Sequence, residues 1–456
     1  MKKALLISLL LANSVAFTSS YAQNKDDNTV FSKTVSHPKD TNNKVINIDN
    51  LLPAHGLTDP HVWIENGRIY LFAGHDTSWR NDKDWIIDSW QIWSSDNLYD
   101  WKYESEITPE QTYMGKGGNC WAGDIIKRGD KYYWYFSNRN TDIGVMVSDR
   151  VDGGFKDALG KPLIEAGVTP VHSYDPEVIE IDGEYYIIFG AGSYYIAKLA
   201  EDMISLAEEP KLLHEKNGDK PAMFVYNDLI YLFWDNTYVT SENIYGPYSK
   251  KKKYVKGGHG CSFEWDNQWY TLLENDDISQ FYRGISLKPL NFDSEGNVVI
   301  PDGDSKYPGI RRDWEFKNAA IGWIPEDGTT VKWNKKKQSI EGEIAAKGAT
   351  ISSVNWLMNE MKGVTTLKIS LKNQTSAKSA KVKITTFDKL QNWRDRTDNL
   401  SEHTYILDIS QNDKDYKNYE IQLDNSEFRQ LLKSITIQPA TEAQNGKWEI
   451  ENISLF

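Results

Sequence analysis

Residues 58–72 read TDPHVWIENGRIYLF, two strand-forming runs joined by the pair Asn66-Gly67. β-Branched and aromatic residues favour strands, and Asn-Gly between two such runs is a strong signal for a two-residue hairpin turn. Four later stretches repeat this form: CWAGDIIKRGDKYYWYF (120–136), YDPEVIEIDGEYYIIFG (174–190), DKPAMFVYNDLIYLFW (219–234) and GHGCSFEWDNQWYTLL (258–273). Strand hairpins that recur every ~40–60 residues are typical of a β-propeller, in which each repeat is one four-stranded blade. The sequence therefore predicts five blades.

Five side chains take the same position when the repeats are aligned on their turns: Asp59, Trp121, Asp175, Asp219 and His259. The first strands of all blades converge on one axis, so we expect these residues to meet around a central cavity. Three carboxylates gathered in one cavity are groups that a hydrolytic site uses for proton transfer. The pattern thus indicates a hydrolase-like site on the propeller axis.

The first 22 residues have the form of a secretory signal peptide. Lys2 and Lys3 precede the apolar run 4–12, and Ser20-Tyr21-Ala22 places small residues before a cleavage point at Gln23. The apolar run is shorter than the ~20 residues that a membrane span needs, which disfavours a membrane anchor. We expect the mature chain to be exported, to the periplasm or outside the cell, with no membrane partner.

The rest of the chain is too long for one ordinary hydrophobic core, and its patterns divide it into two domains. Residues 23–50 are polar without periodicity, which predicts a flexible leader. Residues 51–306 carry the propeller repeats and end in PLNFDSEGNVVIPDG (289–303), a strand–turn–strand form suited to ring closure. Residues 313–456 contain short runs that alternate apolar and polar residues, which predicts an accessory β-sandwich. The expected fold class is all-β, a five-bladed β-propeller followed by a β-sandwich.

Three aromatic residues follow the predicted linker YPGIRR (307–312), namely Trp314, Phe316 and Trp323. We expect them to dock between the two domains, because large aromatic side chains bury much apolar surface. The C-terminal part has neither cysteines nor clustered acids, so no chemistry is assigned to it.

Charge and composition narrow the range of partners. The chain has a formal net charge of −13 and a single run of four lysines, Lys250–Lys253, which argues against nucleic acid and anionic lipid. Its 17 Trp and 25 Tyr can fill β cores and also stack on sugar rings.

Cys120 and Cys261 lie in non-adjacent blades, whose inner strands rarely approach within ~7 Å, so two buried thiols are favoured over a disulfide. We expect a monomer.

The motifs TDPHV, WAGDIIKRGDKYYWYF, YDPEV and the late GHG followed by Glu264 together resemble glycoside hydrolase family 43. The resemblance covers roughly residues 55–300. It implies a five-bladed propeller and inverting enzymes, mostly β-xylosidases, α-L-arabinofuranosidases and arabinanases, that require no cofactor. The family site has three acids, which are a general base, a residue that modulates the donor's pKa, and a proton donor.

By its motif, Asp59 matches the family's general base. Asp175 matches the residue that modulates the pKa of the donor. The donor is where this sequence departs from the family, which has Glu in a Glu-x-Pro motif, whereas this chain has Asp219-Lys220-Pro221. Aspartate is one methylene shorter, and positioning errors of that size can cost ~10²-fold in rate. Three explanations stay open: Asp219 is the donor in an adjusted site, Glu215 reaches in from the preceding loop, or the protein is a weak or lost catalyst.

Further residues are implied around the same pocket. His259 matches a family histidine beneath the sugar that often helps hold a hydrated calcium ion, and it is equally well read as a hydrogen-bonded core residue. Arg283, in FYRG, matches an arginine that enters the pocket beside the base. Trp121 is a candidate wall for the bound sugar, and the loop residues Trp79 and Trp85 are candidates for a second wall.

The sequence therefore predicts an exported, inverting exo-glycosidase that removes xylose or arabinose from oligosaccharide or polysaccharide fragments of plants or algae. A β-xylosidase is the first choice. An α-L-arabinofuranosidase and a non-catalytic carbohydrate-binding propeller are the alternatives, because pentose selectivity depends on loops that the motifs do not cover.

Overall fold

The structure is a computed structural model that describes residues 46–47, 56–77, 85–98, 101–279, 281–299, 313–316, 323–334, 336–353, 357, 361–387, 400–424 and 432–456. The predicted signal peptide and most of the predicted leader lie outside these residues. Within them the regular structure is β-strand, apart from one 3-10 turn at Pro109–Gln111. A search of the same residues for a helix long and apolar enough to cross a membrane finds none.

Five antiparallel sheets account for the strands up to Val299, and each is a meander of the kind that forms a propeller blade. After β1 (Ile46–Asn47), blade 1 comprises β2 (Leu57–Glu65), β3 (Arg68–Asp76), β4 (Ile87–Ser95) and β5 (Trp101–Ile107). Blade 2 comprises β6 (Cys120–Arg128), β7 (Lys131–Asn138), β8 (Asp142–Ser148) and β9 (Lys156–Asp157). Blade 3 comprises β10 (Glu177–Ile181), β11 (Glu184–Phe189), β12 (Ser193–Lys198) and β13 (Lys211–Glu215). Blade 4 comprises β14 (Ala222–Tyr226), β15 (Leu229–Trp234), β16 (Thr237–Ser241) and β17 (Lys252–Lys253). Blade 5 comprises β18 (Gly260–Trp265), β19 (Gln268–Ser279), β20 (Tyr282–Phe292) and β21 (Val298–Val299).

The hairpin turns between the first two strands of the blades form as the sequence predicts. Type I′ turns need a positive φ at both central residues, which Asn, Asp and Gly tolerate best. Both central residues have positive φ in four of these turns, Asn66-Gly67, Asp182-Gly183, Asn227-Asp228 and Asp266-Asn267. The local chemistry of the turns therefore fixes the register of each hairpin.

The five blades form a closed ring. The first strands contact one another in cyclic order, β2 to β6, β10, β14, β18 and back to β2. In blade 5, β1 pairs with the edge of β20, with Ile46 opposite Leu287. The prediction of a flexible leader over 23–50 is therefore wrong at Ile46–Asn47, because these residues gain backbone hydrogen bonds on an open sheet edge. The strand–turn–strand predicted at the end of the repeats is present, with β21 folded back on β20.

Apolar and aromatic side chains fill the spaces between blades. Between blades 1 and 2, Phe72 stacks on Trp134 with ring centroids 5.1 Å apart, and Trp90 packs on Phe136 at 5.0 Å. Most of the aromatic residues therefore serve the core rather than sugar binding. Cys120 and Cys261 are both buried thiols that form no disulfide, as the sequence favours.

The C-terminal strands form two sheets. The first has the order β24 (Lys332–Asn334), β25 (Ser339–Ile344), β32 (Gly446–Leu455), β27 (Thr366–Gln374) and β30 (Lys417–Gln422), with β22 (Asp313–Trp314) on β32. The second has the order β23 (Trp323–Asp327), β26 (Thr350–Ser353), β31 (Leu432–Gln438), β28 (Ser379–Phe387) and β29 (Leu400–Asp408). Ile369 and Ile450 from one sheet share an apolar cluster with Ile384 and Ile435 from the other, the arrangement expected of a sandwich.

The same apolar cluster extends from the C-terminal sheets to blades 1 and 5. Trp314, Phe316 and Trp323 are buried in it together with Trp101 and Trp265 of the propeller. Trp314 and Trp323 meet edge to face at 6.0 Å. The aromatic residues after the linker therefore pack where the two parts of the chain join, as predicted.

Candidate active site

The predicted site residues lie at the start of the first strand of each blade. Asp59 is in β2 and Trp121 in β6, whereas Asp175, Asp219 and His259 lie two, three and one residues before β10, β14 and β18. Asp59 and Asp175 have positive φ, 48° and 55°. A left-handed backbone is costly for a residue other than glycine, and such strain is concentrated at functional sites. The two strained aspartates are therefore held in place by the surrounding ring.

Asp59 is buried, with 3% of its surface exposed, and is surrounded by cationic groups. His259 Nδ1 lies 2.5 Å from Asp59 Oδ1, and Arg283 Nη2 lies 3.6 Å from Oδ2. Burial alone would raise the pKa of Asp59, but Arg283 and His259 outweigh it and hold this pKa well below its usual range. The carboxylate of Asp59 is therefore ionised at any pH at which the protein would work.

Arg283 enters the pocket beside Asp59, as the motif implied. Its guanidinium donates to Asp76 from Nε at 2.9 Å and from Nη2 at 3.0 Å, and to Glu274 Oε2 from Nη1 at 2.9 Å. The Asp59 amide also donates to Glu274 Oε2, at 3.4 Å. Burial raises the pKa of Asp76 to about 6, although Arg283 opposes the shift. Asp76 and Glu274, which the alignment of the repeats missed, thus fix the guanidinium beside Asp59.

Asp175 differs from Asp59 in its electrostatics, although both are buried. Its backbone amide donates to Ser137 Oγ at 2.8 Å. Burial raises the pKa of Asp175 to about 7; His259 opposes this shift, and the charge on Asp59 adds to it. Two buried carboxyls with pKa values pushed apart in this way have distinct acid–base roles available to them.

Asp219 is the exposed acid of the three. The Tyr174 hydroxyl donates to its Oδ1 at 3.4 Å, and the buried Tyr194 hydroxyl donates to its backbone oxygen. Because Tyr174 directly precedes Asp175, Asp219 and Asp175 face the same part of the pocket. Glu215 is placed differently: it ends the outer strand of blade 3, opposite Ser193, with an exposed side chain.

Aromatic side chains line one side of the site. The half-buried Trp121 contacts Tyr174 at 6.1 Å and Trp85 at 6.2 Å between ring centroids. Trp85 is 36% exposed and also packs on Phe281 at 5.0 Å. Trp85 is expected in a second wall, but it packs against Trp121 on the same side; that these rings stack on a sugar stays a prediction. Trp79 lies outside the described residues.

A second layer of polar residues lies on the axis, one to three positions after the aligned residues. His61 Nδ1 is 2.7 Å from Asp124 Oδ1, and Lys220 Nζ is 3.4 Å from Glu177 Oε2. All four residues are buried, and His61 and Glu177 come two residues after Asp59 and Asp175. Since strand side chains alternate, residues two apart share a face, a signal that could have identified this layer from the sequence.

The residues around His259 do not fit a calcium ion bound directly. Asp59, His259 and Glu274 each offer a ligand atom within 4.8 Å of the others. However, Arg283 already occupies Glu274, and His259 binds Asp59. Burial lowers the pKa of His259, but Glu274 and Asp59 overcome this and raise it to about 10, so the ring is a cation near neutral pH. Calcium held through water on His259 stays a prediction.

Chelation distinguishes calcium held through water on His259 from the metal-free site that these contacts favour. We expect dialysis against EDTA to leave Tm unchanged, because Arg283 and the His259 imidazolium already neutralise the acids that a cation would bind. A Tm that rises with calcium concentration, and stops rising in His259→Gln, would instead place an ion at this histidine.

Comparisons with known proteins agree with this geometry. The family model described as Glycosyl hydrolases family 43 matches residues 48–297. An arabinoxylan arabinofuranohydrolase of Paenibacillus polymyxa is 27% identical over 57% of this chain, and the chain spans 52% of that enzyme's length. A xylosidase/arabinosidase of Bacteroides ovatus is 24% identical over 56% of this chain and 97% of its own length.

One solved structure matches both parts of the chain. A family 43 arabinoxylan arabinofuranohydrolase from Bacillus subtilis, crystallised with cellotetraose, superposes with a TM-score of 0.52 at 17% identity. The match covers 90% of this chain and 97% of that one, which supports the same overall fold. The family model spans more than half of the sequence, so the chain is a member of family 43 of the glycosyl hydrolases.

Proposed function

We propose that this protein is an inverting exo-glycosidase that releases a terminal pentose, xylose or arabinose, from oligosaccharide or polysaccharide fragments. The observation that carries the proposal is a buried Asp59, kept ionised by Arg283 and His259, in the same pocket as two further acids, Asp175 and Asp219. A hydrolase that inverts its substrate needs one carboxylate that stays charged and one acid that keeps a proton.

Asp59 is the general base in this mechanism. Its carboxylate takes a proton from water while the water oxygen bonds to the anomeric carbon, on the face opposite the leaving group. His259 and Arg283 hold Asp59 in position and keep its charge. Because burial excludes competing water from the carboxylate, its contacts with these two cations are strong.

Asp219 is the proton donor and Asp175 modulates it. As the bond between the anomeric carbon and the glycosidic oxygen breaks, the oxygen takes the proton from Asp219 and leaves as an alcohol. Asp175 matches the family's modulator, whose negative charge favours a protonated donor. The contact between Asp219 and Tyr174, which neighbours Asp175, favours Asp219 over Glu215 for this role.

A β-xylosidase is the first candidate activity and an α-L-arabinofuranosidase the second. The second is favoured by two relatives, because the Paenibacillus and Bacillus proteins are both named arabinoxylan arabinofuranohydrolases. The C-terminal sandwich would bind glycan or brace the propeller. The signal-peptide pattern at residues 1–22 supports export to the periplasm or beyond, where such fragments occur.

Turnover and stereochemistry test the proposal together. We expect aryl β-xylopyranoside or aryl α-L-arabinofuranoside to be hydrolysed, and proton NMR to show the first-formed sugar with inverted anomeric configuration. Inversion follows from single displacement by the water that Asp59 activates. Retention would contradict the assigned roles. Binding of xylo- or arabino-oligosaccharides without any turnover would support the carbohydrate-binding propeller instead.

A further inference from the structure

A fourth carboxyl lies on the donor side of the pocket, at a position that the alignment of first strands does not reveal. Asp235 directly follows β15, the second strand of blade 4, and has a positive φ of 48°. Ala222, the first residue of β14, pairs with Phe233 near the end of β15, so the segment that enters β14 and the residue that follows β15 lie at the same end of the hairpin. The hairpin therefore returns Asp235 to the end of the blade where Asp219 lies.

Contacts with Gly218 locate the Asp235 carboxyl. A Cβ added to Gly218 would lie 2.1 Å from Asp235 Oδ2 and 3.0 Å from its Cγ, so only glycine leaves room for this carboxyl. Gly218 directly precedes Asp219. The loop that carries the proposed donor is thus packed against a second acid.

Tyr194 connects the same groups from blade 3. Its hydroxyl donates to the Asp219 backbone oxygen, and its ring meets Trp234, the residue before Asp235, edge to face at 5.8 Å. Burial raises the pKa of Tyr194 well above its usual value, and the charge on Asp235 raises it further. The Tyr194 hydroxyl is therefore near Asp235 as well as bonded to the donor loop.

In two other blades, the residue at the position of Asp235 accepts a hydrogen bond from the next blade around the ring. At the same distance from their turns, the second strands carry Ser137 in blade 2 and Glu274 in blade 5. Ser137 Oγ accepts from the Asp175 amide at 2.8 Å, and Glu274 Oε2 accepts from the Asp59 amide at 3.4 Å. Asp235 takes the corresponding position in blade 4, and the next blade around the ring carries His259.

The charges that act on Asp235 agree with this placement. Partial burial raises its pKa; His259 lowers it, and Asp219 and then Glu274 raise it. Asp235 thus faces Asp219 from its own blade and His259 and Glu274 from blade 5, all members of the site.

We propose that Asp235 is a positioning residue that, together with Asp219, holds the proton delivered to the leaving group. This inference rests on the proposed function. Two neighbouring carboxyls ionise less readily than one, so the pair keeps a proton that an isolated exposed aspartate would lose. The proton passes from the pair to the glycosidic oxygen as the bond to the anomeric carbon breaks, and the pair regains a proton from solvent. Asp235 thereby supports a donor that is one methylene shorter than the family's glutamate.

The test compares Asp235→Asn with Asp228→Asn, a matched change in the remote turn of the same blade. Both positions have positive φ, which Asn tolerates, so neither change should strain the backbone. We expect Asp235→Asn to lower kcat/KM by ~10–100-fold on unactivated disaccharides and little on aryl glycosides with good leaving groups. Loss of the neighbouring negative charge should also move the basic limb of the pH–rate profile to lower pH. Asp228→Asn should match the parent in both measurements.

The double variant Asp219→Asn/Asp235→Asn completes the test. It should lose the basic limb entirely, whereas Asp219→Asn alone should keep part of it, because Asp235 still carries a proton. If Asp235→Asn matches Asp228→Asn in leaving-group dependence and pH profile while the parent hydrolyses pentosides, this inference fails and the proposed function stands. If the parent hydrolyses no pentoside, both fail.

Discussion

Asp59→Asn should abolish most of the hydrolytic activity while leaving substrate binding intact. We expect kcat to fall by ~10²–10⁴-fold on the pentoside that the parent hydrolyses, because the amide cannot accept a proton from water. The effect should be equally large on activated and unactivated substrates, since the attacking water needs the base whatever the leaving group. Steady-state kinetics and calorimetric binding of the released sugar measure the two quantities separately.

Asp96→Asn is the matched control for this change. Asp96 also belongs to blade 1, but it lies at the surface, where its Oδ1 accepts a hydrogen bond from Arg68 Nε at 2.7 Å. The control should keep the parent's kcat. A near-parental kcat in Asp59→Asn, or a loss of the same size in Asp96→Asn, would contradict the assignment of Asp59 as the base.

The pH dependence provides an independent measure of Asp59. Its pKa is held well below the usual value, so the ionised form persists as the pH falls. The acidic limb of the parent's kcat/KM profile should therefore lie below the range of an ordinary aspartate. In an Arg283→Lys variant the two-point contact with Asp76 is lost, so the cation is held less firmly beside Asp59. The pKa of Asp59 should then rise, and this limb should move to higher pH.

The sequence predicted the blades well because hairpin formation is a local property. Asn66-Gly67 and the equivalent pairs determine turn type, and turn type determines which residues face the axis. Once those turns are aligned, Asp59 and Asp175 occupy equivalent positions without any tertiary information. The contact of His259 with Asp59 follows from closure of the ring.

The sequence predicted less where the site depends on contacts between blades. Glu274 and Asp235 lie on second strands, which the alignment of first strands leaves out, and Asp76 is recognised only by its bond to Arg283. The pairing of β1 with β20 joins residues far apart in sequence, and the local sequence at Ile46–Asn47 does not predict an edge strand. These features require the folded ring, in which one blade supplies partners to the next.

Lys220→Met should cause the largest loss of stability. The Lys220 side chain is fully buried, and its ammonium lies 3.4 Å from Glu177 Oε2 and 3.3 Å from the Pro221 carbonyl oxygen. Removing one partner of a buried charge pair leaves the other uncompensated, at a cost of ~3–5 kcal/mol in the free energy of unfolding. Urea unfolding at neutral pH measures this loss. Lys250→Met, an exposed lysine of the same blade, should change stability by less than about 0.5 kcal/mol.

The double variant Lys220→Met/Glu177→Gln separates loss of charge compensation from loss of packing. Removing both charges should recover part of the stability, because the Glu177 carboxylate is then no longer left near Asp124 without its lysine partner. Lys220 also lowers the pKa values of Asp59 and Asp175, so Lys220→Met should raise both and shift the acidic limb of kcat/KM to higher pH. A variant as stable as Lys250→Met, with an unshifted limb, would show that the ammonium neither stabilises the axis nor controls the charge of the site above it.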